Sequence, residues 1–467
     1  MQKDLNYRGY CIPVTSLNLR KVKQDLTIVE NSTDFNRFLD KKTVKLYWSS
    51  KGPNNKTWLY VPREYGFRKY GFIEYGYPHV KKINVPFVGE LRPDQVNIVG
   101  TALLTLRDPK KGGGIINKTT GGGKTCMAMN IISQLGVKTI FIVNMVGEMI
   151  KTEKAIKQFL PNAKVGTIQG PKFETDADII IATIQTLTSR YDTYNYSDFY
   201  DIGLCIFDEV HSTSPGQEYN KILKKLQTKY RLGLTATLRK DNFSQVYLEQ
   251  IGPVIVRDKH VSIVPYVKVK KINTHYEIPM NSRGTMNYTK LISELCTMND
   301  RNDNIADIII DTTENNGNRR KVIVFTHRVT HCKTLTNLLQ KKVSNKDIVV
   351  RPYYGQLKQD ERDLALEADI MVATFKLASQ AFDHPPLDTI VFASPVSISR
   401  KKNGHGQFYE ETKLLEQSIG RILRRVNSNF PLVVDIVDIN GTPDNEYFRT
   451  HYYKRRKFYN NMGYNFL

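Results

Sequence analysis

From residue 91 onward, short continuous apolar runs alternate with segments of helical periodicity. The clearest apolar runs in the first half lie at 139–143, 179–183, 204–207 and 232–234. The strands of a parallel sheet are covered by helices on both faces, so they read as unbroken apolar runs. A polar, charge-mixed stretch at 260–304 interrupts the pattern, which restarts with strands predicted at 321–326, 349–353, 369–374, 389–393 and 431–437. The pattern predicts an α/β fold with two parallel-sheet units in tandem.

The first ninety residues have a different pattern of apolar and charged residues. Two alternating runs, 44–48 and 57–61, flank the turn-rich segment 51–55, which predicts a β-hairpin in a small α+β accessory domain. This segment holds 16 Lys and Arg against 8 Asp and Glu, with Tyr and Trp interleaved. Either a solvated basic face or a nucleic-acid-binding appendage fits this composition.

These changes in apolar pattern and charge along the chain predict five segments. The accessory domain covers 1–90 and the first α/β domain 91–258; a linker and entry to the next domain cover 259–304, the second α/β domain 305–440, and a basic tail 441–467. The tail carries five cations against two carboxylates, with Tyr452, Tyr453 and Tyr459 among them. This composition predicts either the solvent-exposed face of a terminal helix or an aromatic surface that stacks on bases.

Net charge and composition limit the classes of binding partner and compartment that fit this chain. The 467 residues include 68 Lys and Arg and 46 Asp and Glu, a formal net charge of +22, which favours an anionic partner such as nucleic acid. The apolar runs are far shorter than the ~20 residues of a membrane-spanning helix. The N-terminus lacks a secretory signal and the five cysteines are scattered, so we expect a reduced intracellular protein.

The segment 118–125, Lys-Thr-Thr-Gly-Gly-Gly-Lys-Thr, precedes a helical stretch and predicts a phosphate-binding loop. Glycines let backbone N–H groups turn toward phosphate oxygens, and the helix presents its positive end to the same anion. Lys124 can reach the β and γ phosphates, and the Thr125 hydroxyl can ligate Mg²⁺. Lys118 stands where the usual motif begins with glycine.

Two adjacent carboxylates follow the buried run 204–207. Asp208 and Glu209 therefore lie at the carboxyl edge of a predicted parallel sheet, where ligands of such sheets bind. We expect Asp208 to meet Mg²⁺, directly or through its water, and Glu209 to act as the base that orients attacking water.

The sequence resembles the DEAD/H-box-like superfamily 2 helicases and translocases, in the branch that contains XPB. Beside Asp-Glu-Val-His at 208–211, the motifs are Leu-Arg-Pro-Asp-Gln at 91–95, Ile-Ala-Thr-Ile-Gln-Thr-Leu at 181–187, Leu-Gly-Leu-Thr-Ala-Thr at 232–237, Arg-Asn at 301–302, Val-Phe-Thr-His at 324–327, Ala-Thr-Phe-Lys-Leu-Ala-Ser-Gln-Ala-Phe-Asp at 373–383 and Gln-Ser-Ile-Gly-Arg-Ile-Leu-Arg at 417–424. It is also similar to helicases of large cytoplasmic DNA viruses, including the poxviral transcript-release helicase and its African swine fever virus counterpart, and of phages.

The resemblance implies two RecA-like domains with ATP between them. It implies the following roles: adenine reading by Arg92 and Gln95; phosphate binding by Thr120, Gly121, Gly122, Gly123, Lys124 and Thr125, with Asp383 also at the nucleotide; γ-phosphate sensing by Gln417 and arginine fingers from Arg421 and Arg424; coupling through His211, Thr235 and Thr237; and nucleic-acid contacts at Thr186 and Thr374. Departures from the family pattern are Lys118, Gln380 and Ala381.

The predicted function is an ATP-dependent, nucleic-acid-stimulated helicase or translocase that runs 3′ to 5′ by resemblance. Two alternatives stay open: a duplex translocase that remodels or releases nucleoprotein complexes without extensive unwinding, and a nucleic-acid-binding scaffold with a silent nucleotide site. We expect ATP and Mg²⁺ as cofactors, DNA or RNA as partner with the transcription machinery as a further candidate, and a monomer. A viral chain would work in the host cytoplasm or the virion.

Overall fold

The computed structural model describes residues 4–6, 9–29, 43–51, 56–75, 77, 79–119, 121–211, 221–239, 241–258, 263–282, 284–314, 319–375, 387–402, 408–423, 429–439 and 447–467. The chain divides into two compact units, Met1–His260 with Lys401–Tyr409, and Val261–Arg400 with Glu410–Leu467. None of the described helices combines the length and apolarity that crossing a membrane requires.

An antiparallel sheet begins unit 1. Its elements are β1 Asp4–Asn6, β2 Gly9–Pro13, α1 Ser16–Leu26, β3 Thr27–Val29, β4 Thr43–Lys45, β5 Trp48–Lys51, β6 Thr57–Val61 and α2 Arg63–Tyr70. The four-stranded sheet has the order β1-β2-β6-β5, and β3 pairs with β4. A hairpin is present where predicted, because β5 and β6 pair antiparallel with Trp48 opposite Tyr60. Its first strand is 48–51 and not 44–48, however, since 43–45 forms β4 and pairs with β3. The predicted α+β accessory fold is thereby confirmed.

A mostly parallel eight-stranded sheet forms the rest of unit 1. Its elements are α3 Pro93–Arg107, β7 Gly113–Lys118, α4 Lys124–Leu135, β8 Thr139–Val143, α5 Val146–Phe159, β9 Val165–Gln169, β10 Lys172–Phe173, β11 Ile179–Thr183, α6 Ile184–Ser189, β12 Leu204–Phe207, β13 Tyr230–Thr235, α7 Ser244–Gln250 and β14 Val254–Asp258. The order is β10-β9-β11-β8-β12-β13-β7-β14, and of these described strands only β10 runs antiparallel to its neighbour. All four strands predicted in this half are present.

Strand β7, which leads into the phosphate loop, is not evident from the apolar pattern. It lies between β13 and β14 and is buried along its whole length. A Cβ atom on Gly113 would lie 2.0 Å from the carbonyl oxygen of Ile251, and one on Gly114 would lie 2.7 Å from Ile255. Glycine is needed here because the neighbouring chain approaches too closely for a side chain.

Unit 2 is built on a seven-stranded parallel sheet. Its elements are β15 Tyr266–Asn273, α8 Tyr288–Thr297, α9 Asn299–Thr313, β16 Val322–Thr326, α10 Val329–Lys342, β17 Val350–Tyr353, α11 Gln359–Glu367, β18 Ile370–Thr374, β19 Thr389–Phe392, α12 Lys413–Ile419, β22 Leu432–Ile439, α13 Tyr447–Asn461 and β23 Asn465–Phe466. Two short strands, β20 Ser399–Lys402 and β21 Phe408–Glu411, cross the boundaries at which the chain passes from one unit to the other. The sheet order is β17-β18-β16-β19-β22-β15-β23, and β20 pairs with β21. The five strands predicted in this half are confirmed within two residues at each end, as is the α/β class.

Much of the segment expected to link the two sheets belongs to unit 2. Strand β15 pairs with β22 over eight residues, from Tyr266 opposite Leu432 to Asn273 opposite Ile439. Its alternating Lys268 and Lys270 give a polar composition, although the strand is an interior member of the sheet.

The C-terminal helix α13 is partly a core element. Arg455 is 2% exposed and forms a two-pronged ion pair with Asp435, with Nε–Oδ2 and Nη2–Oδ1 distances of 2.9 and 2.8 Å. The Tyr459 hydroxyl donates to the same carboxylate at 2.9 Å, and its ring is fully buried. The suggestion that Tyr459 stacks on bases is therefore wrong, because its buried side chain packs in the core and donates a hydrogen bond to the Asp435 carboxylate of β22. Tyr453, in contrast, is 49% exposed.

Candidate ATP-binding and catalytic site

Three neighbouring strands of unit 1 bring the predicted nucleotide-binding residues to one edge. The order β12-β13-β7 and the parallel register place the carboxyl ends of these strands side by side. Lys124 follows β7, Asp208 follows β12, and Thr235 ends β13. This is the edge at which open α/β sheets bind ligands.

The glycine-rich loop has the backbone needed to surround an anion. Gly121 and Gly123 adopt left-handed conformations with φ of 76° and 77°, and Gly123 is the N-cap of α4. Lys124 is the first residue of that helix, and its Nζ atom lies 3.1 Å from the carbonyl oxygen of Lys118 and 3.4 Å from that of Thr119. The ammonium group therefore lies over the loop, where it could form an ion pair with a bound phosphate.

The two residues expected to read adenine are attached to this loop. Gln95 is 2% exposed; its Oε1 accepts from the backbone N–H of Arg92 at 2.9 Å, and its Nε2 donates to the Gly122 carbonyl at 3.2 Å. The Arg92 Nη2 donates to the same carbonyl at 2.9 Å. A Cβ on Gly123 would lie 2.1 Å from Gln95 Nε2, so the close approach requires glycine. Adenine contact by these residues remains a prediction.

Lys118, the departure at the start of the loop motif, is a buried structural cation. Its side chain is 2% exposed, and Nζ lies 2.6 Å from Asp258 Oδ2 and 2.9 Å from Asp94 Oδ2. Its methylene chain fills the space beside Gly122, where an added Cβ would come within 2.7 Å. The lysine thus joins the start of the loop to the first turn of α3 and to the end of β14. The ion pairs hold the pKa of Asp94 below its usual value despite its partial withdrawal from water.

Replacing Lys118 by methionine keeps the methylene chain and removes the charge, so Asp94 and Asp258 no longer share a cation. We expect a loss of roughly 1–3 kcal/mol in the free energy of unfolding, since a buried ion pair is broken from one side but the carboxylates keep some access to solvent. We also expect the KM for ATP to rise severalfold with a smaller change in kcat. Chemical denaturation and steady-state ATPase assays measure both, with Lys154→Met, an exposed lysine on α5, as the control. An unchanged KM would show that the pairing does not position the loop.

Asp208 and Glu209 form an acidic cluster beside the loop. Withdrawal of the Asp208 carboxyl from water raises its pKa to about 7, and the charges of Glu209 and Glu148 act in the same direction while Lys124 opposes them. Glu209 has a left-handed backbone with φ of 46°, and its N–H donates to Asp208 Oδ1 at 2.9 Å. A cation would relieve this repulsion, and oxygen donors from Asp208 and Thr125 suit Mg²⁺. The donor set therefore fits the expected ion.

The raised pKa of Asp208 predicts how stability and nucleotide affinity change with pH. Between its ordinary value of 3.8 and about 7, the folded chain keeps a proton that the unfolded chain has released. The contribution of this group to stability therefore falls as pH rises through that interval. Binding of magnesium ADP favours the ionised carboxylate, so affinity should increase over the same interval. Calorimetric titration at several pH values tests this. The Asp208→Asn variant should bind more weakly and lack this component of the pH dependence, and an equal pH dependence in the variant would contradict the assignment.

His211, Thr235 and Thr237 form one hydrogen-bond network, as their coupling role would require. His211 Nδ1 lies 2.6 Å from Thr235 Oγ1 and 3.3 Å from Glu209 Oε2. The Thr235 hydroxyl donates to the Thr237 carbonyl at 2.7 Å, so its single hydrogen is used and the ring nitrogen donates to it. The arrangement physically links the Glu209 carboxylate to the end of β13.

Sequence reasoning missed three polar residues of this edge. Asn117 donates from Nδ2 to the carbonyls of Thr235 and Ala236, at 3.3 and 2.9 Å, and so ties β7 to the end of β13. Asn144 Nδ2 donates to the Asp208 carbonyl at 3.3 Å, and the Asn144 N–H donates to Glu148 Oε2 at 2.9 Å. A polar residue at or directly after the end of a buried strand was the available signal for both asparagines.

The expected nucleic-acid contacts Thr186 and Thr374 have buried side chains, 9% and 8% exposed. Thr186 Oγ1 accepts from the Gly170 N–H at 3.2 Å and from the Thr183 hydroxyl at 2.9 Å. Thr374 ends β18 opposite Thr326. Their contact with nucleic acid remains a prediction.

In unit 2, Gln417 lies in α12 and Arg421 follows that helix. Gln417 is half-buried and Arg421 is 9% exposed. Burial raises the pKa of Tyr353, and the positive charge of Arg421 partly opposes that rise. Thr120, Asp383 and Arg424, to which the sequence assigns nucleotide contacts, lie outside the described residues.

Sequence comparison matches two parts of the chain to known families, and a solved structure shares the fold. Residues 89–240 match the family described as "Type III restriction enzyme, res subunit", and residues 300–426 match "Helicase conserved C-terminal domain". A solved structure of S. cerevisiae Dbp5 bound to RNA and ADP BeF3 is similar in fold, with a TM-score of 0.52 and 14% identity over 81% of this chain and 94% of that chain. This similarity concerns the fold alone.

Relatives define the family further. A protein of Acanthamoeba polyphaga mimivirus named as an ATP-dependent RNA helicase is 24% identical over 96% of this chain and 82% of its own. The DNA 3'-5' helicase XPB of Mycobacterium tuberculosis is 24% identical over 76% of this chain and 62% of its own. The chain belongs to the superfamily 2 helicases and has XPB-like relatives. The resemblances to that branch and to helicases of large DNA viruses are confirmed.

Proposed function

We propose that this chain hydrolyses ATP in a nucleic-acid-stimulated reaction and uses it to move 3′ to 5′ along a nucleic-acid strand. The observation that carries the proposal is the convergence of Lys124, Asp208, Glu209 and the His211–Thr235 pair at one edge of the unit 1 sheet. A silent nucleotide site would have no need for the acidic cluster or for its link to a second strand end. The direction rests on the name of the XPB relative.

In unit 1, the loop N–H groups and Lys124 bind the β and γ phosphates and offset their charge. Asp208 and Thr125 would hold Mg²⁺, which would neutralise charge on the phosphate oxygens. Glu209 orients the attacking water and accepts its proton. The left-handed backbone of Glu209 and the nearby His211 ring fix the direction of that carboxylate.

We propose that unit 2 completes the reaction. Arg421 and Arg424 would stabilise the charge that spreads over the transferring phosphoryl group, and Gln417 would sense the γ phosphate. This role rests on the family motif at 417–424, which the "Helicase conserved C-terminal domain" match covers as far as residue 426. Hydrolysis then depends on both units, so each catalytic cycle can alternate their grip on the strand.

The polynucleotide is held through its phosphates, so binding tolerates any sequence and weakens with salt. The net charge of +22 supports this mode. The log-log salt slope should be about −0.7 per phosphate contact on single strands and about −0.9 on duplex. A translocase that remodels nucleoprotein complexes on duplex, with a transcription complex as one such target, is the second candidate, because it needs the same chemistry and no strand separation.

ATPase activity titrated with single-stranded DNA, duplex DNA and RNA, followed by strand displacement on substrates with 3′ or 5′ tails, tests the proposal. We expect strong stimulation by a single strand and displacement only from a 3′ tail. Stimulation by duplex without displacement would favour the remodelling function. Absence of any stimulated hydrolysis would contradict both.

The relatives of viral origin support a role in viral transcription or DNA metabolism within the host cell. The nucleic acid acted on in infected cells, and not the ATP site, distinguishes these roles.

A further inference from the structure

We infer that unit 1 carries a second ligand site, separate from the ATP site, that binds one nucleotide of a single-stranded nucleic acid. The inference extends the proposed function by naming where the accessory domain grips the strand. The site is a cavity of about 280 Å³ whose walls come from both parts of unit 1: Leu5 and seven residues from Arg63 to Tyr77 in the accessory domain, and residues among 106–112 and 229–230 in the parallel-sheet domain.

Aromatic side chains form one wall of this cavity. Phe67 and Phe72 lie with ring centroids 5.2 Å apart, and Tyr75 and Tyr77 meet edge to face at 4.6 Å. All four are half-buried, so part of each ring faces the cavity or solvent. Base stacking on exposed aromatic faces is the usual way to hold single strands without regard to sequence.

Cations of the parallel-sheet domain also line the cavity. Arg107, Lys111 and Lys229 line the cavity and are exposed, and the Lys229 ammonium lies 5.2 Å from the centre of the Tyr230 ring. Two carboxylates share the cavity: Asp108, which pairs with Lys111 at 3.3 Å, and the exposed Glu74. Arg63 also lines the cavity, but it pairs with Glu64 at 3.5 Å, so the remaining lining carries three cations against two anions. Half-buried aromatic rings and surplus positive charge in one cavity match a base and its phosphate.

Arg63 holds the two walls in a fixed relation. It is 4% exposed, and its Nη1 donates to the carbonyls of Thr228 and Lys229 at 3.2 and 3.0 Å and to the Tyr77 hydroxyl at 3.1 Å. Its Nη2 donates to the carbonyl of Gly112 at 3.2 Å. One guanidinium group thus joins helix α2 to the starts of β7 and β13. A site built this way gives up little freedom when a ligand binds.

The cavity is distinct from the ATP site because the two lie at opposite ends of strand β7. Gly112, directly before the strand, lines the cavity, whereas the phosphate loop follows Lys118. Five residue steps along a parallel strand span about 17 Å. A single nucleoside triphosphate cannot occupy both positions.

A free nucleotide and a polynucleotide share the chemistry that this cavity recognises. The polynucleotide is the better match, because the first ninety residues alone contribute 16 cations against 8 anions, far more positive charge than one phosphate requires. A volume of about 280 Å³ is at the lower limit of ordinary ligand pockets, which suits one unit of a longer chain.

The test uses the full chain with its ATP site filled by saturating magnesium ADP. The variants are Tyr75→Ala and the double change Lys111→Glu with Lys229→Glu; Lys154→Glu with Lys172→Glu, two exposed lysines outside the cavity, is the charge-matched control. Fluorescence anisotropy measures binding of a thymidine oligonucleotide and, in a second arm, competition by thymidine monophosphate. An oligonucleotide that carries 5-iodouracil is then photocrosslinked and the modified peptide is identified by mass spectrometry.

We expect at least about fivefold weaker oligonucleotide binding in both cavity variants, the smallest change in the control, and a crosslink within residues 67–77. The double change should also reduce the salt slope by about 0.7 for each phosphate that the variant no longer neutralises. Unchanged binding in the cavity variants, or equally weakened binding in the control, would overturn the inference. The inference would also be overturned if thymidine monophosphate occupied the cavity and the oligonucleotide still bound with unchanged affinity. If nucleic-acid-stimulated hydrolysis persists in all these cases, the proposed function stands and this site alone is rejected.

Discussion

Replacement of Lys124 by alanine is expected to lower nucleic-acid-stimulated ATP hydrolysis by at least about 100-fold, because a preorganised positive group at developing phosphoryl charge is worth several kcal/mol. Lys124 begins helix α4 directly after the left-handed Gly123, and its ammonium lies over the loop carbonyls. The other lysine of the loop motif, Lys118, cannot replace it, since Asp94 and Asp258 hold that ammonium group. Steady-state hydrolysis at saturating nucleic acid gives the measurement.

The same variant should keep its affinity for nucleic acid at low salt, because the phosphate loop and the strand are bound by different groups. Lys154→Ala, an exposed lysine on α5, is the matched control and should hydrolyse ATP like the unaltered chain. Hydrolysis that survives Lys124→Ala would remove the loop from the mechanism. Loss of both activities together with a lower melting temperature would mean that the variant misfolds, and Lys124→Arg then provides the milder test.

Replacement of Arg421 by alanine should reduce kcat by roughly 10³-fold, the lower end of the range for an arginine that stabilises the transferring phosphoryl group from a second domain. The KM for ATP should change much less, because the loop, Gln95 and Arg92 remain. Arg421→Lys should recover little, since a point charge does not replace the planar guanidinium. Single-turnover hydrolysis and equilibrium ATP binding separate the two effects.

Arg421 is 9% exposed, so its removal can also weaken unit 2 itself. Arg319→Ala, in the same unit with a side chain 43% exposed, is the control. A purely structural Arg421 would lower stability and leave the kcat of the folded fraction intact, which would contradict the finger role. A catalytic Arg421 lowers kcat at temperatures where circular dichroism shows the variant fully folded.

Sequence patterns predicted nine strands of the two parallel sheets because buried parallel strands need no polar face. They missed β7 because Ile115 and Ile116 are its only apolar side chains beyond glycine; the strand is recognised by the close approach of its neighbours. They missed β15 because lysines alternate with its apolar residues, while the pairing partner β22 lies more than 160 positions away.

Motif spacing likewise predicted which residues gather at the sheet edge, since each follows a strand. It could not predict the pairing of Lys118 with Asp258, 140 positions apart, or of Arg455 with Asp435. Both arise because a charge placed in the interior must be matched by an opposite charge, and only the folded chain determines which one is near. The same limit applies to the cavity around Arg63, whose walls come from segments more than 160 positions apart.

The central claim is that residues of both units act on one triphosphate while the chain holds a nucleic-acid strand. An experimental structure of the chain with ADP, beryllium fluoride, Mg²⁺ and a single-stranded oligonucleotide tests it most directly. We predict that Arg421 lies within hydrogen-bonding distance of the fluoride that replaces the γ phosphate, with Lys124 and Asp208 on its other side. An ordered complex in which Lys124 engages the nucleotide and Arg421 stays remote from it would contradict the account.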